Sequence, residues 1–145
     1  MTRIWFPAMM LAWAIGAPLP AGAQDAPTAP PPRVGDKLIG TKWQAMTLEG
    51  RPADAAGATI DFLPDEQVRG QAGCKRFVGP FGTRADRITI GPVRTTRTTC
   101  TGEQAEQERQ MLEVVRQASR VVLEQDAMLL YGSKGEPSRF VPRAD

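Results

Sequence analysis

The chain has 145 residues, of which 41% are hydrophobic and 23% are charged, values typical of one modest soluble domain rather than of a disordered chain. It contains no histidine, which excludes triads with a histidine base, histidine-ligated zinc and imidazole pH sensing. The net charge of +2 is too small to indicate nucleic-acid binding.

The first segment in the chain has the pattern of a targeting sequence. Arg3 precedes an apolar stretch at 4–17, and Pro18 and Pro20 then lead into small residues that end at Ala23. The stretch is shorter than the ~20 residues that a membrane-spanning helix needs. We therefore predict a secretory signal peptide at 1–23, cleaved after Ala23, with an uncleaved anchor as the alternative. Because no cysteine lies near this point, lipoprotein processing is not expected and the protein is predicted to be periplasmic or secreted.

Residues 24–36 contain four prolines among small and polar residues. Such a composition favours a solvated, polyproline-like chain over a packed element. The sequence thus predicts a flexible tether at 24–36 and a folded domain at 37–142.

From residue 41 the sequence alternates short β-rich runs with turn residues. The runs that predict strands are 43–48, 59–62, 67–73, 87–90, 93–98, 120–124, 127–131 and 138–141. Between the fifth and sixth runs, residues 103–119 have helical periodicity, with Met111, Leu112 and Val115 on one apolar face that predicts core packing. The predicted fold class is β-rich α+β, a small antiparallel β-barrel or strongly curved sheet of about eight strands with one packing helix.

Cys74 and Cys100 are the only cysteines in the chain. Export would place them in an oxidising compartment, so we predict a structural disulfide between them. The alternative is a redox-active pair, for which the usual Cys-x-x-Cys spacing is missing.

Three segments carry a family resemblance: 40–43 at the first strand, 70–81 in the middle, and 96–100 before the helix. The positions involved are Gly40, Thr41, Trp43, Gly70, Gly73, Cys74, Phe77, Gly79, Phe81, Thr96 and Cys100. Their order and spacing resemble the META domain, the heat-shock-protein HslJ-like (DUF306-type) family of exported bacterial proteins, over roughly 40–141. Lys75 and Phe81 stand where that family usually has Asn and Tyr.

The resemblance implies a compact barrel-like fold and a role in envelope stress, heat or antibiotic tolerance, and it implies no catalytic residues. The motif residues also have a structural interpretation. Gly70, Gly73 and Gly79 permit close backbone approach, while Phe77 and Phe81 fill a core.

Six cationic residues lie between 75 and 97, where Asp86 is the only acid. Those predicted to bind an anion or a partner are Lys75, Arg76, Arg94 and Arg97, because guanidinium groups bind carboxylate or phosphate bidentately. The alternative is a solvated basic surface. Nucleic acid is not expected as the partner, since no aromatic residues are interleaved for base stacking.

Other groups of polar residues give little indication of catalytic activity. Asp61, Asp65 and Glu66 lie among turn residues without any sign of burial, and Ser133 lies in a glycine turn without a histidine base. We therefore expect no catalytic residues, no metal site, no cofactor and a monomeric protein.

The leading functional hypothesis is a non-enzymatic, disulfide-bridged envelope domain that supports stress or antibiotic tolerance by binding a partner. One alternative is a lipocalin-like carrier that holds a small ligand inside the barrel. A second alternative is an inhibitor of an exported hydrolase that acts through the basic rim. An interior filled by large side chains would exclude the carrier.

Overall fold

The computed structural model describes residues 16–17, 22 and 27–144. The chain divides into the units Met1–Pro30 and Pro31–Asp145, and the architecture below is that of the second unit. All but three residues of the predicted signal peptide, 1–23, lie outside the described part of the chain. No helix within the described residues has the length and mean hydropathy that a membrane crossing requires.

Ten antiparallel strands make up one sheet. They are β1 (Lys42–Leu48), β2 (Arg51–Pro52), β3 (Ala58–Phe62), β4 (Gln67–Ala72), β5 (Lys75–Arg84), β6 (Arg87–Ile90), β7 (Arg94–Thr95), β8 (Arg120–Leu123), β9 (Met128–Tyr131) and β10 (Ser138–Pro142). The helices are α1 (Val34–Leu38), a single 3₁₀ turn (Ala55–Gly57) and α2 (Gly102–Gln117).

Eight of these strands close into a barrel in the order β1, β3, β4, β5, β6, β8, β9, β10. The barrel closes where β10 pairs with β1, with Trp43 opposite Pro142 and Ala45 opposite Phe140. The short strands β2 and β7 are added to β1 and β5 outside this ring. The predicted small antiparallel barrel with one packing helix is thus confirmed, and closure removes the open edges that short strands would otherwise expose.

The barrel interior is filled by side chains. Strand residues alternate between buried and exposed positions along β5, as expected for a strand with one face on the core. Phe62 and Phe81 meet edge to face with ring centroids 5.0 Å apart. The largest fully buried side chains are Phe62, Phe77, Phe140, Leu38, Leu48, Ile60, Ile88, Met111, Met128, Leu130, Val68 and Val115. Such packing argues against the carrier, which required an open interior.

Helix α2 packs against the barrel through the predicted apolar stripe. Met111, Leu112 and Val115 are buried, as is Val114, and the helix contacts β1, β3, β4, β6 and β9. The predicted span of 103–119 agrees with the observed Gly102–Gln117 to within two residues at each end.

Three elements differ from the sequence-based expectation. β5 was not predicted, because Gly79, Pro80 and Gly82 weaken the local strand signal. β7 covers only two residues of the predicted run at 93–98. Helix α1 begins at Val34, within the segment predicted as a tether, because buried Gly35 packs closely against the Thr83 side chain of β5.

The first family motif connects α1 to β1. The Trp43 indole N–H donates to Thr41 Oγ1 at 2.7 Å, and the Thr41 hydroxyl in turn donates to the Leu38 carbonyl. Gly40, with φ +81°, donates its N–H to the Phe62 carbonyl at 2.7 Å. This short relay of hydrogen bonds holds Trp43, only 7% exposed, against the core.

Candidate functional site

The outer face of the sheet carries a row of cationic side chains. The strand register aligns one residue from each of five strands: Lys42, Asp61, Arg69, Val78 and Arg94. Arg143 extends the row, because its N–H donates to the Lys42 carbonyl at 2.9 Å. Sequence neighbours of these residues, such as Ile60 and Phe77, are buried in the barrel, so alternation places the row on the outside.

A second row runs beside the first and contains Gln44, Thr59, Gln71 and Arg76. Thr96 ends this row: its N–H donates to the Arg76 carbonyl at 3.0 Å, and its hydroxyl oxygen accepts from the Arg76 N–H at 3.2 Å. Arg76 therefore lies on the same face as Arg94, at a diagonal cross-strand position. We call the cationic residues of the two rows, Lys42, Arg69, Arg76, Arg94 and Arg143, the basic face.

Asp61 is the one carboxylate in these two rows, and it is only 6% exposed. Arg143 Nη2 lies 2.7 Å from Asp61 Oδ1, and Arg69 Nε lies 3.6 Å from Asp61 Oδ2. The expectation that Asp61 is not buried was wrong, because β3 is buried along its whole length. Within residues 27–144, the two rows thus place one buried carboxylate among four arginines and Lys42.

No ion pair among the described residues involves the outermost arginines of this region. Arg76, Arg94 and Arg97 are exposed, and none of their guanidinium groups forms an ion pair with any residue from 27 to 144. Val78 lies between Arg69 and Arg94 and is 40% exposed. The basic face thus combines unpaired guanidinium groups with an exposed apolar side chain at its centre, a combination suited to an anionic protein surface.

The four residues predicted to bind an anion do not all lie on this face. Lys75 has the opposite strand parity to Arg76, and its Nζ lies 2.7 Å from Glu108 Oε1 on α2. Arg97 is exposed two residues beyond β7. The structure therefore brings Arg76 and Arg94 together and directs Lys75 toward the helix.

Sequence reasoning missed Lys42, Arg69 and Arg143 as members of the face. These residues come from separate parts of the chain and meet only through barrel closure and cross-strand pairing. The sequence does place these residues at positions that face outward in strands where buried and exposed residues alternate. That placement indicates a shared surface only once the register between the strands is known.

The second family motif builds the β4–β5 hairpin. A Cβ on Gly70 would lie 2.7 Å from Phe77 Cζ and would overlap the Thr59 carbonyl oxygen. Gly73 has φ +60° in the tight turn between the strands, and a Cβ on Gly79 would lie 2.8 Å from Val93 Cγ1. Next to Gly73, Cys74 forms the predicted disulfide with Cys100, whose Cα lies 5.6 Å away. The disulfide thereby ties this hairpin to the segment that precedes α2.

A polar cleft of about 750 Å³ lies between the first turns of α2, the 3₁₀ turn and the β4–β5 hairpin. Gln107 bridges the cleft, accepting from the Asp54 N–H at 2.8 Å and donating to the Asp54 carbonyl at 2.7 Å. Gln71 donates to the Gly73 carbonyl at 3.0 Å, and Gln110 donates to Glu106 at 2.8 Å. The side-chain amides of Gln71, Gln107 and Gln110 therefore already have partners within the chain.

Charges on the helix side of the molecule are also paired locally. Lys134 Nζ donates to Glu113 Oε1 at 2.7 Å and lies 3.5 Å from Glu49 Oε2. The hydrogen bond and charge of Lys134 hold the pKa of Glu113 below its ordinary value, and the same hydrogen bond raises the pKa of Lys134. In the described residues, no group of three or more acidic or cysteine side chains is arranged to hold a metal ion.

Solved structures share the fold of this chain. An NMR structure of a protein from Burkholderia xenovorans has a TM-score of 0.65 at 18% identity, covering 88% of this chain and 100% of that one. A second NMR structure has a TM-score of 0.60 at 19% identity, covering 74% of this chain and 92% of that one. A DUF4847-family protein from Bacteroides vulgatus has a TM-score of 0.54 at 14% identity, covering 74% and 96%.

Sequence comparison identifies the family. No curated protein gives a significant match to the chain. The family model described as the META domain matches residues 36–145, a range that contains the whole barrel, α2 and both cysteines. The chain therefore belongs to the META domain family.

Proposed function

We propose that this protein is an exported, non-enzymatic META-domain protein of the bacterial envelope that binds an anionic partner protein through the basic face. The family resemblance extends this proposal to a role in stress or antibiotic tolerance. The observation that carries it is the outer face of β1, β3, β4 and β5 with β7 and Arg143, where five cationic side chains accompany one buried carboxylate.

The distribution of charge supports a binding role for this face. Elsewhere, cations such as Lys75 and Lys134 are neutralised by carboxylates of α2. On the basic face Arg76 and Arg94 have no such partner within residues 27–144. Unpaired guanidinium groups on a rigid sheet are held in place for charge-assisted hydrogen bonds and steer an anionic partner during encounter.

Two further observations support export. The sequence begins with the charge, apolar stretch and small-residue pattern of a secretory signal peptide. The disulfide between Cys74 and Cys100 is of a kind that persists in oxidising compartments. Intact mass measurement of the protein from the envelope fraction should give a chain that starts at Gln24 and is two hydrogens lighter than the dithiol.

The test compares how three forms of the full chain capture a partner: the wild type, Arg94→Glu and a control, Arg84→Glu. Each form has its disulfide formed. We expect the wild type to retain an acidic protein from envelope extract and Arg94→Glu to lose it. The wild type and Arg94→Glu should have the same midpoint of thermal unfolding, since the Arg94 side chain is exposed. Capture by the wild type should weaken as ionic strength rises, because the attraction between exposed charges is screened.

Arg84→Glu is the matched control. Arg84 is an exposed arginine of the same strand, but it lies six residues beyond Val78, about 20 Å along β5. That separation exceeds the ~8–10 Å over which salt screens charges. Capture that persists in Arg94→Glu, or is lost equally in Arg84→Glu, would contradict the proposal. If the captured protein is a hydrolase whose activity falls on binding, the protein would instead act through the basic face as an inhibitor.

A further inference from the structure

The segment 94–99 starts beside β5, next to the basic face, and leads to Cys100. Its sequence is Arg-Thr-Thr-Arg-Thr-Thr, and all six residues are exposed. Only its first two residues are in strand β7, which pairs with β5 and with no other strand of the described chain. We call residues 94–99 the edge segment.

One side of the edge segment is bonded to β5 and the other is open. Arg94 pairs with Val78, and the Thr96 N–H donates to the Arg76 carbonyl at 3.0 Å. Backbone groups of successive residues in an antiparallel strand point to opposite sides, so those of Thr95 point away from β5. Arg97 lies two residues beyond the end of β7. Neither residue has a backbone hydrogen bond outside the β5 pairing within residues 27–144. An incoming strand would find these donors and acceptors unpaired.

The edge segment is held in place at both ends. Pairing with β5 holds it at Arg94–Thr95, and the Cys100 disulfide holds it to the β4–β5 turn. The Cys74 N–H also donates to Cys100 Sγ at 3.2 Å. Because both ends are anchored, a partner strand would bind without ordering a loose chain first, which lowers the entropy cost of association.

Charge decides which kind of strand fits. Arg94 and Arg97 lie within the edge segment and Arg76 lies beside it, with no carboxylate partner for any of the three in the described residues. A second copy of this chain would bring arginines against arginines, and like charges across a strand pair are unfavourable. Acidic side chains at alternate positions of an incoming strand would instead meet the guanidinium groups of Arg94 and Arg76, which lie on the same face.

We propose that the edge segment receives an extended, acidic segment of the partner protein as an added antiparallel or parallel strand. The proposal rests on the proposed function and specifies how the anionic partner binds: backbone hydrogen bonds to Thr95 and Arg97, with carboxylates on Arg94 and Arg76. Strand addition of this type takes its affinity from main-chain bonds and its specificity from alternate side chains.

The probe is a synthetic peptide of about ten residues that alternates Glu and Thr, added to the full chain with its disulfide formed. Its matched control is the same peptide methylated at every backbone nitrogen, which keeps all carboxylates and has no N–H donors. We expect the methylated peptide to bind at least about tenfold more weakly than the parent. Amide hydrogen exchange at Thr95 and Arg97 should slow at least about tenfold when the parent peptide is bound.

The protein variants separate strand addition from simple charge attraction. Arg94→Glu should weaken binding of the parent peptide, whereas Arg84→Glu should not. Equal binding of both peptides without slower exchange at Thr95 and Arg97 would overturn strand addition while leaving the basic face as an anion-binding surface. If neither peptide binds although Arg94-dependent capture from extract persists, the partner is not an extended acidic segment and the inference is wrong. If that capture also fails, the proposed function is wrong as well.

Discussion

At the scale of single residues, Gly70 shows how the second family motif acts on packing. It pairs with Phe77 on the inner side of the β4–β5 hairpin, and the Phe77 ring lies directly over it. Because the Thr59 carbonyl oxygen also lies against this position, there is no space for even one methyl group. The glycine is therefore required by steric contact rather than by backbone conformation.

Replacing Gly70 tests this interpretation. Gly70→Ala should lower the free energy of unfolding by about 1–3 kcal/mol, because the new methyl must displace the Phe77 ring or the Thr59 carbonyl. Urea denaturation gives the value. The control is Gly82→Ala on β5, where a Cβ would have no heavy atom within 4 Å. There we expect no loss and a gain of up to about 1 kcal/mol from reduced unfolded-state entropy. Equal destabilisation by both substitutions would contradict the steric role.

At the scale of elements, the disulfide joins the turn of the β4–β5 hairpin to the segment that precedes α2. Cys74 lies in the two-residue turn between β4 and β5, while Cys100 lies between the edge segment and α2. The bond spans 26 positions in sequence and closes the loop that contains β5, β6 and β7. It therefore fixes the hairpin relative to the start of the helix.

Removal of the disulfide should be costly for a domain of this size. The double variant Cys74→Ala with Cys100→Ala should lose about 2–4 kcal/mol of stability, because the unfolded chain regains the entropy of the open loop. Chemical denaturation should give the same loss for reduced wild type, which retains both side chains. A double variant as stable as the oxidised protein would show that the hairpin and helix are held by packing alone.

At the scale of the whole molecule, the pairing of β1 with β10 turns a curved sheet into a closed barrel. Phe140 of β10 is fully buried and lies opposite Ala45 of β1 and Met128 of β9. The same closure brings Arg143 beside Lys42 and so completes the basic face. The pairing of β1 with β10 thus contributes both to barrel closure and to the basic face.

Truncating the Phe140 side chain tests how much the pairing of β1 with β10 contributes to the stability of the barrel. Phe140→Ala should cost about 3–5 kcal/mol through lost burial and an uncollapsed cavity between the two neighbouring strands. Thermal and urea unfolding would measure the change. Met46→Ala on β1 is the matched exposed control, since Met46 is 49% exposed, and we expect it to stay within about 0.5 kcal/mol of wild type. A small loss of stability in Phe140→Ala would indicate that the barrel remains stable without tight packing where β10 meets β1.

Much of this molecule follows from local patterns in the sequence. Short β-rich runs separated by turn residues predicted eight strands, and the run at 87–90 matches β6 residue for residue. Helical periodicity located α2, and the two cysteines in a chain with a signal-peptide pattern indicated the disulfide. These features depend on interactions between residues close in sequence or on the chemistry of the compartment. A single sequence is therefore sufficient to predict them.

Only the tertiary structure decided the strand pairing and therefore the basic face. Arg69, Arg94 and Arg143 carry no local signal that relates them, because their proximity depends on register across β4, β5, β7 and the closing strand β10. Strand β5 was missed for a related reason: Gly79 looks unfavourable for a strand until Val93, from a later part of the chain, packs against it. Local propensity determined which segments form strands and a helix, while long-range packing determined which of their side chains meet.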